Sequence, residues 1–180
     1  MSKFEEKQLE REEIFDGAVL HVVKDKILLP DGNTSYREFC LHKGAVAVIP
    51  ITDENEVILV RQFRYAHHRE FLEIPAGKFD FIGEDPLEAA KRELSEETGA
   101  IAKNFINLGV LDTTPALIDE KIHMFLAEDL TFGESHPDED EFLSVERIPL
   151  GKLVDMVMSG EIRDAKTQIA ILKAAKIRGL

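Results

Sequence analysis

The spacing of hydrophobic residues over most of this chain is typical of β-strands. Apolar side chains alternate with polar ones or run together in short stretches, and clusters of Gly, Pro, Asn and Asp separate those stretches. The pattern predicts turns at residues 30–33 and 53–56 and strands at residues 18–23, 26–29, 35–41, 44–51, 57–63, 106–112, 121–127 and 142–148. Residues 1–14 are mainly charged and show no such pattern; their only apolar anchors are Phe4, Leu9 and Ile14.

Helical spacing of apolar residues appears in three later stretches. The clearest predicted helix has Asp85 as its N-cap, Pro86 at its first position and Gly99 as the residue that closes it. Its apolar stripe consists of Leu87, Ala90 and Leu94. A second helix is predicted at residues 150–158. A third begins near Asp164 and places apolar residues at helical intervals, at Ile169, Leu172 and Ile177.

Strands on both sides of a central helix, with two further helices at the end, predict an α+β layered domain. The chain has 180 residues, of which 44% are hydrophobic, so it is long enough to bury a substantial core. The strands before residue 44 predict a small N-terminal antiparallel sheet. The sequence therefore predicts one main domain, residues 44–180, preceded by a sheet region at residues 1–43.

Composition excludes several classes of function. No apolar run approaches the roughly 20 residues that a membrane helix needs, and the first residues do not resemble a signal peptide. Cys40 is the only cysteine, which excludes a disulfide framework and a Cys-based zinc site and fits a reducing cytoplasm; we expect it to be buried. The net charge of −13 argues against nucleic acid as a partner. A small anionic substrate stays possible if metal ions and a few arginines neutralise it.

Three carboxylates crowd one face of the central predicted helix near its C-terminal end. Because Glu93, Glu96 and Glu97 lie three and four positions apart, their like charges repel, and the helix dipole disfavours them as well. Clustered carboxylate oxygens are the ligands that Mg²⁺ and Mn²⁺ prefer. The residues alone also allow a solvated acidic face, with Arg92 and Glu96 as an ordinary surface pair.

The basic residues concentrate in one short segment, residues 61–69, which holds Arg61 and Arg64. A solvated strand end explains this segment as well as a binding role does. The adjacent His67 and His68 would point to opposite sides of a strand, so we do not expect them to form a metal pair.

The region around the acidic helix resembles the signature of the Nudix hydrolase family. Seven residues separate Glu84 from the run Arg92-Glu93-Leu94-x-Glu96-Glu97-x-Gly99, as in the family. The chain departs from the family pattern in two places. Six residues rather than five separate Gly77 from Glu84, and the position after Gly99 is the small Ala100. The resemblance implies a Nudix α/β/α sandwich with a mixed sheet.

Features outside the signature are similar to the ADP-ribose pyrophosphatase subgroup. These are Val-Arg-Gln-Phe-Arg-Tyr at residues 60–65 and Leu-Glu-Ile-Pro-Ala-Gly-Lys at residues 72–78. A third is Pro115, sixteen residues beyond Gly99, in a loop where Ala116 replaces the subgroup's glycine. The fourth is the acidic segment Asp-Glu-Asp-Glu-Phe at residues 138–142.

The resemblance implies a role for each candidate site residue. The metal, Mg²⁺ or Mn²⁺, would be held by Glu93, Glu96, Glu97 and the carbonyl of Ala76. The general base would be Glu141, with Glu139 as second choice, and Glu93 and Glu97 would share in catalysis through the metal. Arg92 and Glu84 would orient the ligands. The residues implied in substrate binding are Arg61, Arg64 and Glu120, with Phe15 and Arg37 at the adenine.

The implied reaction is hydrolysis of the diphosphate bond of ADP-ribose to AMP and ribose 5-phosphate by a cytoplasmic homodimer, with neither nucleic acid nor membrane as a partner. Two alternatives stay open, namely another nucleoside diphosphate sugar such as GDP-mannose and a non-enzymatic Nudix-like sensor. A sensor would typically have lost signature glutamates, and all are present here. An NADH-type pyrophosphatase is disfavoured because no four-cysteine zinc site and no Gln-Pro-Trp run are present.

Overall fold

The structure is a computed structural model, and it describes residues 2–136 and 142–180. The two proposed general bases, Glu139 and Glu141, lie outside the described residues. The chain divides into two compact units. The first contains the residues up to Lys43 together with Asp112–Lys121, and the second contains Gly44–Leu111 and Ile122–Leu180. No helix among the described residues is long and apolar enough to cross a membrane.

The first unit contains a three-stranded antiparallel sheet in the order β1-β2-β3. Its strands are β1 (Lys7–Asp16), β2 (His21–Leu28) and β3 (Thr34–Leu41). The sequence pattern divides β2 into two strands, and this prediction is wrong; it assigns no element to the residues of β1. All ten residues of β1 are exposed, so β1 buries neither of its faces. Its hydrogen bonds to β2 determine its structure instead.

The second unit contains two further sheets and three helices. Its strands are β4 (Ala45–Pro50), β5 (Glu56–Arg64), β6 (Arg69–Glu73), β7 (Ala76–Lys78), β8 (Ala100–Asp112), β9 (Lys121–Phe132) and β10 (Leu143–Pro149), where β8 and β9 each extend by one residue into the first unit. Its helices are α1 (Pro86–Thr98), α2 (Leu150–Met158) and α3 (Ala165–Arg178). The sequence pattern misses β6 and β7 and begins β8 too late.

The two sheets have the strand orders β10-β5-β6 and β7-β4-β9-β8. Strand β4 runs parallel to β9 and antiparallel to β7, so the second sheet is mixed, as predicted. Strand β4 is buried on both faces. Ala47 and Ile49 pack in one apolar cluster with residues of α2 and α3, whereas Val46 and Val48 pack in another with residues of α1. This alternation produces the predicted helix–sheet–helix layers and confirms the α+β fold class.

The buried face of helix α3 differs from the prediction, which assumed that its larger apolar side chains are buried. Leu172 is 41% and Ile177 is 51% exposed. The buried residues are mainly small, namely Thr167, Ala170, Ile171, Ala174 and Ala175. Small side chains let the helix approach the sheet closely, and the larger ones lie outside that contact.

Cys40 is only half-buried, which corrects the expectation of a buried cysteine.

Candidate active site

Helix α1 has the ends that the sequence predicts. The Asp85 carboxylate accepts hydrogen bonds from the backbone N–H groups of Leu87 at 2.9 Å and Glu88 at 3.1 Å, and it therefore acts as the N-cap. Gly99 closes the helix in the left-handed conformation, with φ of 69°. A Cβ at Gly99 would lie 2.5 Å from the carbonyl oxygen of Gly133, so the position requires glycine for a second reason.

Arg92 connects the acidic groups on this part of the molecule. Its Nη1 donates to Glu93 Oε1 at 2.8 Å and to Glu96 Oε2 at 3.1 Å. Its Nη2 donates to the Lys78 carbonyl at 3.3 Å and lies 3.5 Å from Glu84 Oε1. Burial opposes the charged form of the guanidinium, but the neighbouring Glu93 and Glu96 carboxylates outweigh that effect and raise the pKa of Arg92. Arg92 thus neutralises part of the like-charge repulsion within α1.

The extra residue between Gly77 and Glu84 is accommodated in a surface loop. Glu84 Oε2 accepts a hydrogen bond from the backbone N–H of Asp80 at 2.8 Å and so closes the loop from inside. Phe81 and Ile82 project into solvent at its tip, and Gly83 turns the chain with φ of 89°. Because the extra length is taken up before α1 begins, Glu84 still reaches Arg92.

Gly77 makes room for the Glu93 carboxylate. A Cβ at Gly77 would lie 2.0 Å from both Cδ and Oε1 of Glu93, so only glycine lets this carboxylate lie against the backbone of β7. Glu97, one turn further along α1, is 2% exposed. Among the described residues, no three His, Cys, Asp or Glu side chains are already close enough together to hold a metal ion. The donor set of carboxylates next to a backbone strand nevertheless has the hard oxygen chemistry that a divalent cation needs.

The chain that leads to the acidic segment is attached to the C-terminal end of α1. The backbone N–H of Gly133 donates to the Gly99 carbonyl at 2.8 Å, and that of His136 donates to the Glu96 carbonyl at 2.9 Å. His136, the last described residue before the acidic segment, is thus fixed at the turn of α1 that carries Glu96.

Two arginines of the basic segment form ion pairs within the second unit. Arg61 donates to Glu146, with Nη2 3.3 Å from Oε2, and this hydrogen bond raises the pKa of Arg61. Arg64 forms a two-point contact with Glu73, which is 2% exposed. The second ion pair is a finding of the structure, because the hydrophobic pattern gives no sign that an acidic residue at position 73 is buried.

Comparisons with known proteins identify the family of this chain. The family model described as the NUDIX domain matches residues 41–168, which is more than half of the chain. The chain belongs to the Nudix family. The resemblance in the sequence is therefore confirmed.

Two similar proteins cover nearly the whole chain. The ADP-ribose pyrophosphatase of Bacillus subtilis (strain 168) is 44% identical over 173 residues, 95% of this chain and 93% of that protein. The methanol dehydrogenase activator of Bacillus methanolicus is 42% identical over 170 residues, 93% of this chain and 91% of that protein. The crystal structure of an ADP compounds hydrolase matches with a TM-score of 0.86 and 25% identity, covering 99% of this chain and 97% of that one.

Three predicted substrate residues of this Nudix protein lie in the first unit. Phe15 is exposed on β1. Arg37 on β3 pairs with Glu6, with Nε 3.0 Å from Oε2. Glu120 accepts a hydrogen bond from the Thr113 hydroxyl at 2.9 Å and lies 3.6 Å from His42 Nε2. Their roles stay predictions.

Proposed function

We propose that this Nudix enzyme hydrolyses the diphosphate bond of ADP-ribose to AMP and ribose 5-phosphate. The observation that carries the proposal is the position of the Glu93 carboxylate against the backbone of Gly77, where any larger residue would displace it. The buried Glu97 lies one helical turn further along. Similarity to an ADP-ribose pyrophosphatase over 95% of the chain supports the choice of substrate.

The proposed cofactor is Mg²⁺, with Mn²⁺ as its substitute. Glu93, Glu96, Glu97 and the carbonyl of Ala76 would hold the metal. A bound divalent cation neutralises phosphate charge and lowers the pKa of a coordinated water. Arg92 contacts Glu93 and Glu96 directly, and we assign to it the orientation of those carboxylates. Glu84 in turn lies beside Arg92 and helps to fix it.

The remaining roles concern the proton and the substrate. Glu141, or Glu139 in second place, accepts the proton of the attacking water. The backbone hydrogen bond from His136 to Glu96 supports this assignment, since Glu139 and Glu141 follow His136 by three and five positions in the sequence. The guanidinium groups of Arg61 and Arg64 bind phosphate or ribose. The adenosine part is assigned to Phe15, Arg37 and Glu120.

We also propose that the protein acts as a cytoplasmic homodimer. Residues 1–43 form the N-terminal sheet region that contacts the second copy, and residues 44–180 form the hydrolase domain. The full exposure of strand β1, which carries apolar as well as charged side chains, supports an interface there.

The test is hydrolysis of a panel of nucleoside diphosphate compounds with identification of the products. We expect ADP-ribose to give the highest kcat/KM and to yield AMP and ribose 5-phosphate. Activity should disappear in EDTA and return with Mg²⁺ or Mn²⁺. A clearly higher kcat/KM for GDP-mannose would contradict the assigned substrate. If no compound were cleaved, a binding or sensing role would replace the enzymatic one.

A further inference from the structure

Glu73 is a buried carboxylate that the proposed reaction does not use directly. It ends strand β6, three residues before Ala76, and is 2% exposed. Both of its oxygens accept from one edge of the Arg64 guanidinium, Oε1 from Nε at 2.7 Å and Oε2 from Nη2 at 2.7 Å. This parallel two-point geometry fixes the plane of the guanidinium as well as its position.

Residues at the start of α3 hold Glu73 from the other side. Lys166 donates to Glu73 Oε2 and lies 3.1 Å from Asp164 Oδ2. The same Asp164 oxygen accepts from the Thr167 backbone N–H at 2.9 Å and from the Thr167 hydroxyl at 2.6 Å. The hydroxyl of Thr167 in turn accepts from the backbone N–H of Ile74 at 2.9 Å. Glu73 therefore belongs to a polar network that connects β6 to the N-cap of α3.

The same residues line a cavity with a volume of about 400 Å³. Its walls include Arg64, Tyr65, His67, Phe71, Glu73 and Lys166. The hydrogen bonds from Arg64 to Glu73 use the edge formed by Nε and Nη2, so Nη1 lies outside this two-point contact. The hydrogen bonds to Glu73 and the nearby charge of Asp164 raise the pKa of Arg64 against the effect of burial, so the guanidinium stays charged. Nη1 is thus a charged donor in a fixed orientation at the wall of a cavity.

We propose that Glu73 is a positioning residue for the hydrolysis, which fixes the guanidinium of Arg64 so that Nη1 stays available for a phosphate oxygen of the substrate. The proposal rests on the proposed function, in which Arg64 binds the substrate. Stability alone is a weak explanation for a buried ion-pair network, since apolar side chains of similar volume often stabilise a fold equally well.

The test compares Glu73→Gln, Arg64→Ala and the double variant with the wild-type protein. The amide of glutamine has one acceptor oxygen in place of two, so it cannot form the parallel two-point contact that fixes the plane of the guanidinium. We expect Glu73→Gln to raise the KM for ADP-ribose by about tenfold, with a much smaller change in kcat. In the Arg64→Ala background the same substitution should leave KM unchanged. A purely structural residue would have the same effect in both backgrounds, and that outcome would overturn the proposal.

Glu128→Gln is the matched control. Glu128 on β9 also pairs with an arginine, Arg178 Nη2 lying 2.6 Å from its Oε1, but neither residue belongs to the proposed site. We expect this variant to have the wild-type KM. If Glu73→Gln does not fold because two cations lose their partner, Glu73→Gln combined with Lys166→Met removes one charge of each sign. The combined variant should show the same rise in KM, and an unchanged KM would reject the positioning role.

A signal that does not depend on activity separates this proposal from the proposed function. The Nε proton of Arg64, hydrogen-bonded to a buried carboxylate, should exchange slowly with water and give an NMR signal in the unliganded protein. In Glu73→Gln we expect that signal to broaden or disappear. A wild-type protein that cleaves no ADP-ribose would overturn the proposed function, whereas an unchanged Arg64 signal in Glu73→Gln would overturn the fixation of the guanidinium by Glu73.

Discussion

At the scale of single residues, the site depends on one missing side chain as much as on its carboxylates. Gly77 has no Cβ, and the Glu93 carboxylate occupies the space where one would be. The sequence places Gly77 at the start of the signature but does not reveal which side chain fills that space. The contact explains physically why the residue must be glycine, because even one methyl group displaces Glu93.

We predict that Gly77→Ala lowers hydrolysis by at least about a hundredfold, since the Cβ would displace a carboxylate that must be placed within a fraction of an ångström. Gly151→Ala is the matched control, because nothing lies within 4 Å of a Cβ at Gly151, in helix α2. It should keep full activity and gain up to about 1 kcal/mol of stability. Steady-state kinetics and urea unfolding measure both effects. Equal activity of the two variants would contradict the role given to Gly77.

A second prediction at this scale concerns the pH dependence of stability. Burial alone would raise the pKa of Glu73, but hydrogen bonds and charge from Arg64 and Lys166 outweigh it and lower the pKa from 4.5 to about 2. A lowered folded-state pKa contributes stability above the ordinary value of 4.5, and that contribution is lost as the pH falls towards 2. Its size is on the order of 3 kcal/mol.

Urea unfolding of wild-type protein and Glu73→Gln in EDTA tests this prediction. The wild type should be the more stable protein near neutral pH. The difference in the free energy of unfolding should shrink between pH 4.5 and about 2, where the wild-type carboxylate takes up its proton. A difference that does not change with pH would show that the charge of Glu73 contributes nothing.

At the scale of elements, the C-terminal end of helix α1 has a contact with another segment that the end of α3 lacks. Gly99 and Gly179 both close helices in the left-handed conformation, with φ of 69° and 78°. Only Gly99 also contacts another segment, at the carbonyl of Gly133. This close approach joins the end of α1 to the chain that leads to the acidic segment.

The two glycines form a matched pair for a prediction. Gly179→Ala should lower the free energy of unfolding by about 1 kcal/mol, the ordinary cost of placing alanine in the left-handed conformation. No further cost is expected, because nothing lies within 4 Å of a Cβ at this position. Gly99→Ala should cost at least about 1 kcal/mol more, since its Cβ meets a backbone oxygen that cannot move easily. Urea unfolding measures both values. Equal costs would mean that the contact with Gly133 is not tight in solution.

At the scale of the whole molecule, the exposed apolar side chains of strand β1 are the feature on which the proposed homodimer depends. Leu9 is 49% and Ile14 is 51% exposed, so β1 presents apolar surface to water. A second copy of the chain would cover these side chains in the proposed homodimer.

We predict that light scattering at micromolar concentration gives twice the monomer mass of 20.3 kDa. Replacing both Leu9 and Ile14 with Asp should shift the protein towards monomer, because charged side chains are costly to bury at an interface. Ile177→Asp changes a residue of the same exposure on α3 and should stay dimeric. A monomeric wild-type protein would refute the dimer.

The sequence by itself determines the elements whose signals are local. The caps Asp85 and Gly99, the period of α1 and the apolar run of β4 are set by neighbouring residues, so they can be predicted without the fold. The family is likewise evident from the sequence, because the signature resembles that of Nudix hydrolases. Its spacing also places Arg92 and Glu96 within reach of each other on a single helix.

The tertiary structure decides what depends on residues far apart in the chain. Strand β1 forms because β2 offers it hydrogen bonds, although its own pattern is polar. Helix α3 buries mainly small residues, including three alanines, because small side chains let the helix pack closely against the sheet. Glu73 is buried because Arg64 and Lys166, the latter 93 positions away, neutralise it there. Such long-range pairing leaves no periodic signal in the sequence, since burial of a charge depends on partners that only folding brings together.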